Sequence, residues 1–279
     1  MEILRKIIYF ILLICFTTLT YGQDYEDFTL EELRKFHREF ANSMFIDGGE
    51  MSRYLYLHFP EFFPHTVITR GGVIRELPLN LRKDVSNYIT TIDSGKQTLH
   101  DYVHNSLTDG VIIIHKSKIV FEEYPRMMPT DKHLYFSVSK TFVSTLIAIL
   151  EDRSMIDVSK PIEHYMPELK DSGWEGIPVI DILDMSSGIN CREMEEGARD
   201  NPETCFQKFQ AAFGFPNLET ALENPVEFLQ TMERFESNGE KMDYTSINTW
   251  LLGWLVERVS GKSFSDMMAT EIWQKMGAE

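Results

Sequence analysis

Residues 136–152 read FSVSKTFVSTLIAILED and determine how the rest of the chain is interpreted. This run is too long for a strand and apolar on most sides, so it predicts a buried central helix. Ser137 lies where the first turn should begin, near unpaired backbone N–H groups and the positive end of the helix dipole. Lys140 follows one turn later, on the same helix face. We therefore expect the Lys140 amine to reach the Ser137 hydroxyl.

A serine and a lysine in this spacing can supply nucleophilic catalysis. Burial in an apolar helix favours the neutral amine of Lys140, which could accept the proton of Ser137. The first-turn amides are the groups that an oxyanion needs. The tetrapeptide S-x-x-K occurs once in the chain, but about one such match is expected by chance. An N-cap serine followed by a solvated lysine is the alternative interpretation.

A second candidate group precedes another apolar stretch. The polar residues 243–248 lead into Ser246–Val259, which predicts a helix closed by Gly261. Tyr244 lies at the entrance of this helix, where its phenol could face a cleft and pass a proton to a leaving group. A nearby cationic lysine would favour the phenolate. The alternative for Tyr244 is a packed aromatic ring with its hydroxyl in water.

The composition is that of a globular protein with a complete core. Hydrophobic residues make up 43% and charged residues 25% of the 279 residues, which excludes disordered and collagen-like classes. The 27 basic and 43 acidic residues give a net charge of -16, so the surface repels nucleic acid. The length fits one large domain, and we expect one that carries an insertion.

The N terminus predicts export. Arg5 and Lys6 precede an apolar run from Ile7 to Phe16, and the small residue Gly22 follows. This order is typical of a secretory signal peptide cleaved near Gly22, and the run is shorter than the roughly 20 residues of a membrane span. A retained anchor is the alternative. We expect a periplasmic or secreted protein without a stable membrane anchor after cleavage.

Two cysteines remain after this cleavage, because Cys15 lies in the signal peptide. Cys191 and Cys205 would then lie in an oxidising compartment, where an even pair suggests a disulfide. Two independent thiols are the alternative.

The sequence implies no cofactor and no metal. His100 and His104 share a helical face, but without a third ligand nearby they are interpreted as surface residues. A G-x-S-x-G elbow, an H-E-x-x-H motif and a Walker-type loop are all missing from the sequence. The acidic cluster of Glu193, Glu195 and Glu196 is interpreted as a solvated helix face.

The remaining segments predict a mixed α and β chain. Val111–His115 and Ile119–Phe121, separated by turn residues, predict a β-hairpin. Val179–Met185 predicts a short helix, and Leu30–Phe40 an acidic helical start. Residues 190–238 are acidic, helix-prone and interrupted by prolines, as expected of an inserted helical subdomain.

Three segments together resemble the serine hydrolases related to class C β-lactamases, penicillin-binding proteins and 6-aminohexanoate-dimer hydrolases. They share the order and spacing of that family, and they are Ser137–Lys140, Leu183–Ile189 and Asp243–Arg258. The 6-aminohexanoate-dimer hydrolases are the most similar branch, judging by Arg70–Gly72, His115–Tyr124, Tyr165–Leu169 and Gly173–Gly176. The likeness spans roughly residues 50–279.

This resemblance implies the roles of the candidate residues. Ser137 is the expected acyl-forming nucleophile, Lys140 its base and Tyr244 the proton relay. The expected substrate is a small-molecule amide or ester.

The resemblance also implies the architecture. We expect an α/β (α+β) fold of the β-lactamase/transpeptidase type, with an antiparallel sheet flanked by helices and an inserted, mostly helical subdomain. The expected domains are a signal peptide at 1–22, an N-terminal extension at 23–100 packing on the core, and the hydrolase domain at 101–279. The helical insertion is placed at about 190–240.

Two departures from the family pattern leave alternatives open. The family often has Tyr-x-Asn where this chain has Tyr244-x-Ser246, so a hydroxyl replaces an amide at a substrate-binding position. No later Lys/His-Thr/Ser-Gly-like motif follows before Glu279, so we expect a C-terminally truncated sequence that lacks part of the sheet. The alternatives are a β-lactamase or D-alanyl-D-alanine peptidase, and an inactive binding module of the same fold. The sequence does not predict the oligomeric state.

Overall fold

The computed structural model describes residues 28–40, 45, 47–92, 95–199, 201–212 and 225–278. The predicted signal peptide, with its cleavage position at Gly22, lies outside these residues. Within the described ranges, every helix is too short or too polar to cross a lipid bilayer.

The described strands all lie in the first half of the chain, between short helices, and helices dominate the second half. In chain order they are α1 (Leu30–Glu39), α2 (Gly49–Leu57), α3 (Lys83–Ser86), β1 (Ile89–Ile92), β2 (Gly95–Thr98), α4 (Leu99–Asn105), β3 (Val111–His115), β4 (Lys118–Glu123), α5 (Lys140–Asp152), α6 (Val179–Leu183), α7 (Cys205–Ala212), α8 (Pro225–Gln230), α9 (Ser246–Ser260), α10 (Phe264–Met267) and α11 (Gln274–Met276). Short 3-10 turns lie at Phe59–Glu61, Phe136–Ser139, Ile162–His164 and Pro167–Leu169, and Met268–Trp273 is π-helical.

The chain folds into two compact units. One unit contains Glu76–Asp131, and the other contains Leu30–Arg75 together with Lys132–Glu279. These units divide the chain at positions other than residue 100, the predicted end of the N-terminal extension.

The smaller unit holds two antiparallel hairpins, β1–β2 and β3–β4. The hairpin predicted at Val111–His115 forms, with Val111 opposite Glu123 and His115 opposite Lys118. Lys116 and Ser117 connect its strands with φ values of 49° and 58°. Two successive residues with positive φ match the right-handed twist of the paired strands, which explains the short connection.

The position of Glu123, at the end of β4, shows that the sequence interpretation of His100 and His104 as surface residues without a third ligand was wrong. Its carboxylate lies 2.9 Å from a ring nitrogen of His100 and 2.9 Å from one of His104. These two histidines of α4 therefore do have a third potential ligand nearby. The sequence pattern did not reveal it, because β4 follows α4 only after another strand and a turn.

The larger unit is built around α5 and α9. Their buried residues recur every three or four positions, as expected of helices that pack one face into a core. On α5 and α9 they include Val143, Leu146, Ile147, Leu150, Ile247, Leu251, Leu252 and Leu255. The fully buried Trp174 joins this core, and its indole N–H donates to the Leu229 carbonyl of α8 over 3.1 Å.

The predicted helix over 136–152 differs from the structure in two respects. Its first four residues form a 3-10 turn, and α5 begins at Lys140. The helix is buried on one face only, because Thr141, Ser144 and Thr145 are exposed. The hydroxyls of Ser144 and Thr145 donate to the Thr141 carbonyl on this exposed face.

The predicted helical insertion at 190–240 is mostly irregular where the structure describes it. Residues 190–199 and 201–204 contain no helix, and the insertion has the short helices α7 and α8. A disulfide joins Cys191 to Cys205, with the two Cα atoms 5.0 Å apart. This bond ties the irregular segment to the start of α7.

Candidate active site

The hydroxyl of Ser137 is the centre of the candidate site. Lys140 Nζ donates a hydrogen bond of 3.0 Å to Ser137 Oγ, and the Tyr244 hydroxyl donates one of 2.6 Å to the same atom. Lys140 Nζ also lies 5.1 Å from the centre of the Tyr244 ring. The structure therefore brings together the three residues that were selected as catalytic from the sequence.

Ser137 and Lys140 owe their contact to the local helix geometry. Both belong to the continuous run formed by the 3-10 turn and α5, where side chains three residues apart lie on one face. Ser137 is exposed and Lys140 is half-buried, so neither is enclosed as the apolar helix pattern predicted. The pair is open to a molecule arriving from solvent.

The backbone immediately before the serine is unusual. Phe136 has a φ of 47°, a conformation that non-glycine residues rarely adopt. Its ring packs edge-on against Tyr56, with the ring centres 4.9 Å apart. Such conformations persist only where surrounding contacts hold them, and they concentrate at functional sites.

Tyr244 is held by contacts with residues distant in sequence. The backbone N–H of the preceding Asp243 donates to the Met185 carbonyl over 2.7 Å. The hydroxyl of the following Thr245 is buried and donates to the Cys191 carbonyl over 2.6 Å. The segment from Met185 to Cys191 therefore fixes the backbone on both sides of the tyrosine.

Arg192 extends this support with three carboxylates. Its guanidinium contacts Glu195 at 2.9 Å, Glu236 at 2.6 Å and Asp243 at 2.7 Å. The hydrogen bond with Glu195 is the first of the causes that raise the pKa of Arg192 above its ordinary value. Asp243 directly precedes Tyr244, so this cluster holds the residue next to the tyrosine. Arg192 was not selected from the sequence, because its partners Glu236 and Asp243 are distant in the chain.

The segment Leu183–Ile189, selected from the family resemblance, packs against α9. The Ser187 hydroxyl donates to the side-chain oxygen of the fully buried Asn248 over 2.9 Å. At Gly188 φ is 72°, and a Cβ there would lie 2.1 Å from the Glu236 carbonyl oxygen. A glycine is therefore required where this segment meets the chain that leads to Tyr244.

Glu193 is a buried member of the site rather than part of a solvated helix face. Its side chain is only 4% exposed and accepts hydrogen bonds from the Ser246 hydroxyl at 3.2 Å and the Ser246 backbone N–H at 3.4 Å. The carboxylate therefore caps the N-terminus of α9, where the helix dipole favours a negative charge. The sequence could not reveal this cap, because Glu193 lies 53 residues before the helix.

Ser246, the predicted substrate-binding residue, lines a cavity next to the three candidate residues Ser137, Lys140 and Tyr244. The cavity has a volume of about 450 Å³ and shares Lys140 with these candidate residues. Most of its remaining lining is apolar, from Val143, Phe209, Trp250, Trp254 and Phe264. Apolar walls with a few polar groups are typical of sites for small molecules.

The chain belongs to the Beta-lactamase family, whose model matches residues 96–279. The 6-aminohexanoate-dimer hydrolase of Paenarthrobacter ureafaciens is 31% identical over 183 residues, which cover 65% of this chain and 45% of that enzyme. A β-lactamase of Providencia stuartii is 35% identical over 63 residues, covering 22% of this chain and 16% of that protein.

Among solved structures, a Bacillus anthracis protein described as a candidate 6-aminohexanoate-dimer hydrolase superposes with a TM-score of 0.71. It is 21% identical, and the match covers 85% of this chain and 61% of that one. The predicted family and fold class are thereby confirmed. The chain spans less than half the length of the curated relatives named above.

Proposed function

We propose that this protein hydrolyses a small amide or ester substrate through an acyl-enzyme on Ser137. The observation that carries the proposal is that Ser137 Oγ accepts hydrogen bonds from both Lys140 Nζ and the Tyr244 hydroxyl. A nucleophile within hydrogen-bonding distance of a base and of a second proton carrier has what acyl transfer requires.

In the first step, the Lys140 amine accepts the proton of Ser137 while Oγ attacks the substrate carbonyl carbon. The carbonyl oxygen becomes an oxyanion, which the amide groups of the 3-10 turn would stabilise. Tyr244 then gives its proton to the leaving amine or alcohol as that bond breaks. The Lys140 ammonium favours the resulting phenolate and returns the proton to it.

In the second step, a water molecule replaces the leaving group. The Lys140 amine removes a proton from this water as it attacks the acyl carbon, and this proton passes to Ser137 Oγ as Oγ leaves. The net reaction adds one water across the scissile bond and regenerates the starting protonation states.

Two observations favour a small linear amide as the substrate. The relative with 31% identity is named for hydrolysis of the 6-aminohexanoate dimer, and the cavity beside Lys140 has a volume of about 450 Å³. Ser246 takes the place of an amide at the substrate-binding position, and its hydroxyl is bound to Glu193. This protein therefore lacks, at position 246, the amide that would bind a β-lactam carbonyl.

Export is part of the proposal. The predicted signal peptide supports it, and so does the bond between Cys191 and Cys205, because disulfides persist in oxidising compartments. N-terminal sequencing of the protein recovered from outside the cytoplasm should begin near Gln23. Recovery of the uncleaved chain in the cytoplasm would contradict export.

A fluorophosphonate probe tests the nucleophile. The wild-type protein should gain one covalent adduct, and Ser137→Ala should gain none. Ser144→Ala is the matched control, because Ser144 is an exposed serine of α5 whose hydroxyl donates to its own helix. Labelling of Ser137→Ala at the wild-type rate would overturn the assignment.

Three further results separate the alternatives. Hydrolysis of the 6-aminohexanoate dimer or of a chromogenic short-chain ester supports the proposed reaction. Turnover of nitrocefin or a stable penicillin adduct would instead indicate a β-lactamase or D-alanyl-D-alanine peptidase. A wild-type protein that forms no adduct with any of these probes would be a binding module of the same fold.

A further inference from the structure

A compact group of three metal-binding side chains lies in the smaller unit, Glu76–Asp131. His100 Nδ1 is 2.9 Å and 3.1 Å from the two carboxylate oxygens of Glu123, and His104 Nε2 is 2.9 Å from one of them. One ligand atom from each of the three residues lies within 4.8 Å of the other two. None of these residues belongs to the proposed active site.

The backbone around this group is well fixed. Thr98 caps the first turn of α4 through a reciprocal capping box with Asp101, so the position of His100 at the start of the helix is defined. Val103 is completely buried and sets which face of α4 points inward. His100 and His104 are four residues apart and therefore share the remaining face, opposite the end of β4.

We propose that His100, His104 and Glu123 bind a divalent zinc ion. Two imidazoles and one carboxylate are an established ligand set for zinc with three protein ligands, and a water molecule fills the fourth position. Tetrahedral zinc with bonds of about 2.0–2.2 Å separates neighbouring ligand atoms by about 3.3 Å. The two contacts of 2.9 Å between histidine and carboxylate need to lengthen by a few tenths of an ångström to admit the ion. The remaining pair of ligand atoms is at most 4.8 Å apart and has to close toward 3.3 Å by rotation of the exposed histidine side chains.

The exposure of the three side chains is consistent with an ion that exchanges with solvent. His100 is 49% exposed, His104 32% and Glu123 20%, so the ion can enter without opening a core. An ion held by α4 and β4 would link a helix to the adjacent hairpin, and it would stabilise the smaller unit by binding only the folded state. This role is independent of the reaction proposed for Ser137.

Zinc binding by the full-length protein at neutral pH tests the proposal. In competition with a chromogenic chelator, wild-type protein should bind one zinc ion per chain. His100→Ala and His104→Ala should each weaken this binding at least tenfold, and Glu123→Gln should weaken it as well. His115→Ala is the matched control, since it removes an exposed histidine at the far end of the β3–β4 hairpin and should leave the affinity unchanged.

A second measurement needs no variant. Cobalt added to the wild-type protein should give the visible absorption of a tetrahedral site with nitrogen and oxygen ligands, and zinc should displace it. Failure of wild-type protein to bind either ion would overturn the proposal, and so would unchanged affinity in the His100→Ala/His104→Ala double variant. Ser137→Ala should bind zinc as the wild type does, so this result is separable from the outcome of the labelling experiment.

Discussion

The two sides of the candidate active site are positioned by different means. Ser137 and Lys140 are three residues apart in one helical run, and the helix alone brings them within 3.0 Å. Tyr244 meets the same oxygen from 107 residues further along the chain. Its position depends on hydrogen bonds from Asp243 and Thr245 to the segment Met185–Cys191.

Substitutions on the two sides should therefore act differently. The helical side of the site is exposed or half-buried, so changes there should affect chemistry more than folding. The tyrosine side rests on buried polar contacts and on the disulfide, so changes there should affect stability first. Measurements of both activity and stability can separate the two sides.

The largest expected effect is on the helical side. Lys140→Met removes the amine but keeps most of the side-chain volume, so the rate of labelling by a fluorophosphonate should fall about 1000-fold. The helix content should stay unchanged by circular dichroism, because Lys140 is only half-buried. A labelling rate within tenfold of wild type would exclude Lys140 as the base.

The disulfide should have the next largest effect, and it lies on the tyrosine side. Replacing Cys191 and Cys205 by serine frees a loop with a sequence separation of 14, which should lower the free energy of unfolding by about 3 kcal/mol. Chemical denaturation of both proteins measures the difference. A double variant as stable as the wild type would contradict the view that the disulfide stabilises the tyrosine side of the site.

The contact between Ser187 and Asn248 should have a smaller effect. Ser187→Ala leaves the buried Asn248 oxygen without this donor, and the expected loss is about 2 kcal/mol. Ser186→Ala is the matched control, since the Asp181 carbonyl that its hydroxyl binds also accepts from the Ser186 backbone N–H. Equal losses in the two variants, by thermal or chemical unfolding, would contradict a specific role for the Ser187 hydroxyl.

The smallest expected effect concerns Glu271, which binds the residue that follows α5. The pKa of Glu271 is lowered to about 2, first by hydrogen bonds from Arg153 and then by those from Lys275. A carboxylate with a lowered folded-state pKa stabilises the fold above its ordinary value of 4.5, and this contribution is lost as the pH falls toward 2.

Glu271→Gln should therefore destabilise the protein at pH 7 by about 1 kcal/mol, because Arg153 and Lys275 are largely exposed and solvent screens the pair. The difference from wild type should shrink between about pH 4.5 and pH 2. Glu151→Gln, at an exposed position of α5, should change stability by less than about 0.5 kcal/mol. If the loss of stability caused by Glu271→Gln became larger on acidification, the assigned role of the Glu271 carboxylate would be contradicted.

Much of the local structure could be predicted from the sequence. The helix predicted at Ser246–Val259 forms over Ser246–Ser260, and the hairpin predicted at Val111–His115 forms with a two-residue turn. The helix that begins after Ser137 was also predicted, although its first turn is 3-10 and one face remains exposed. These features depend on hydrophobic periodicity and turn residues, which are visible within a short window.

Residues whose partners are distant in the chain were missed or misread. Glu193 was assigned to a solvated face, yet it is buried and caps α9. Arg192 was not selected as a site residue, because its contacts with Glu236 and Asp243 form only when separate segments pack together. Glu123 was overlooked as a partner of the α4 histidines for the same reason.

The sequence by itself determined the spacing of Ser137 and Lys140, the apolar faces of the core helices and the turn of the β3–β4 hairpin. Each of these follows from the backbone geometry of a few consecutive residues. The tertiary structure decided that Tyr244 reaches Ser137, that Glu193 is buried and that Glu123 meets His100 and His104. Such contacts form when distant segments pack together to bury apolar surface, so a short stretch of sequence does not predict them.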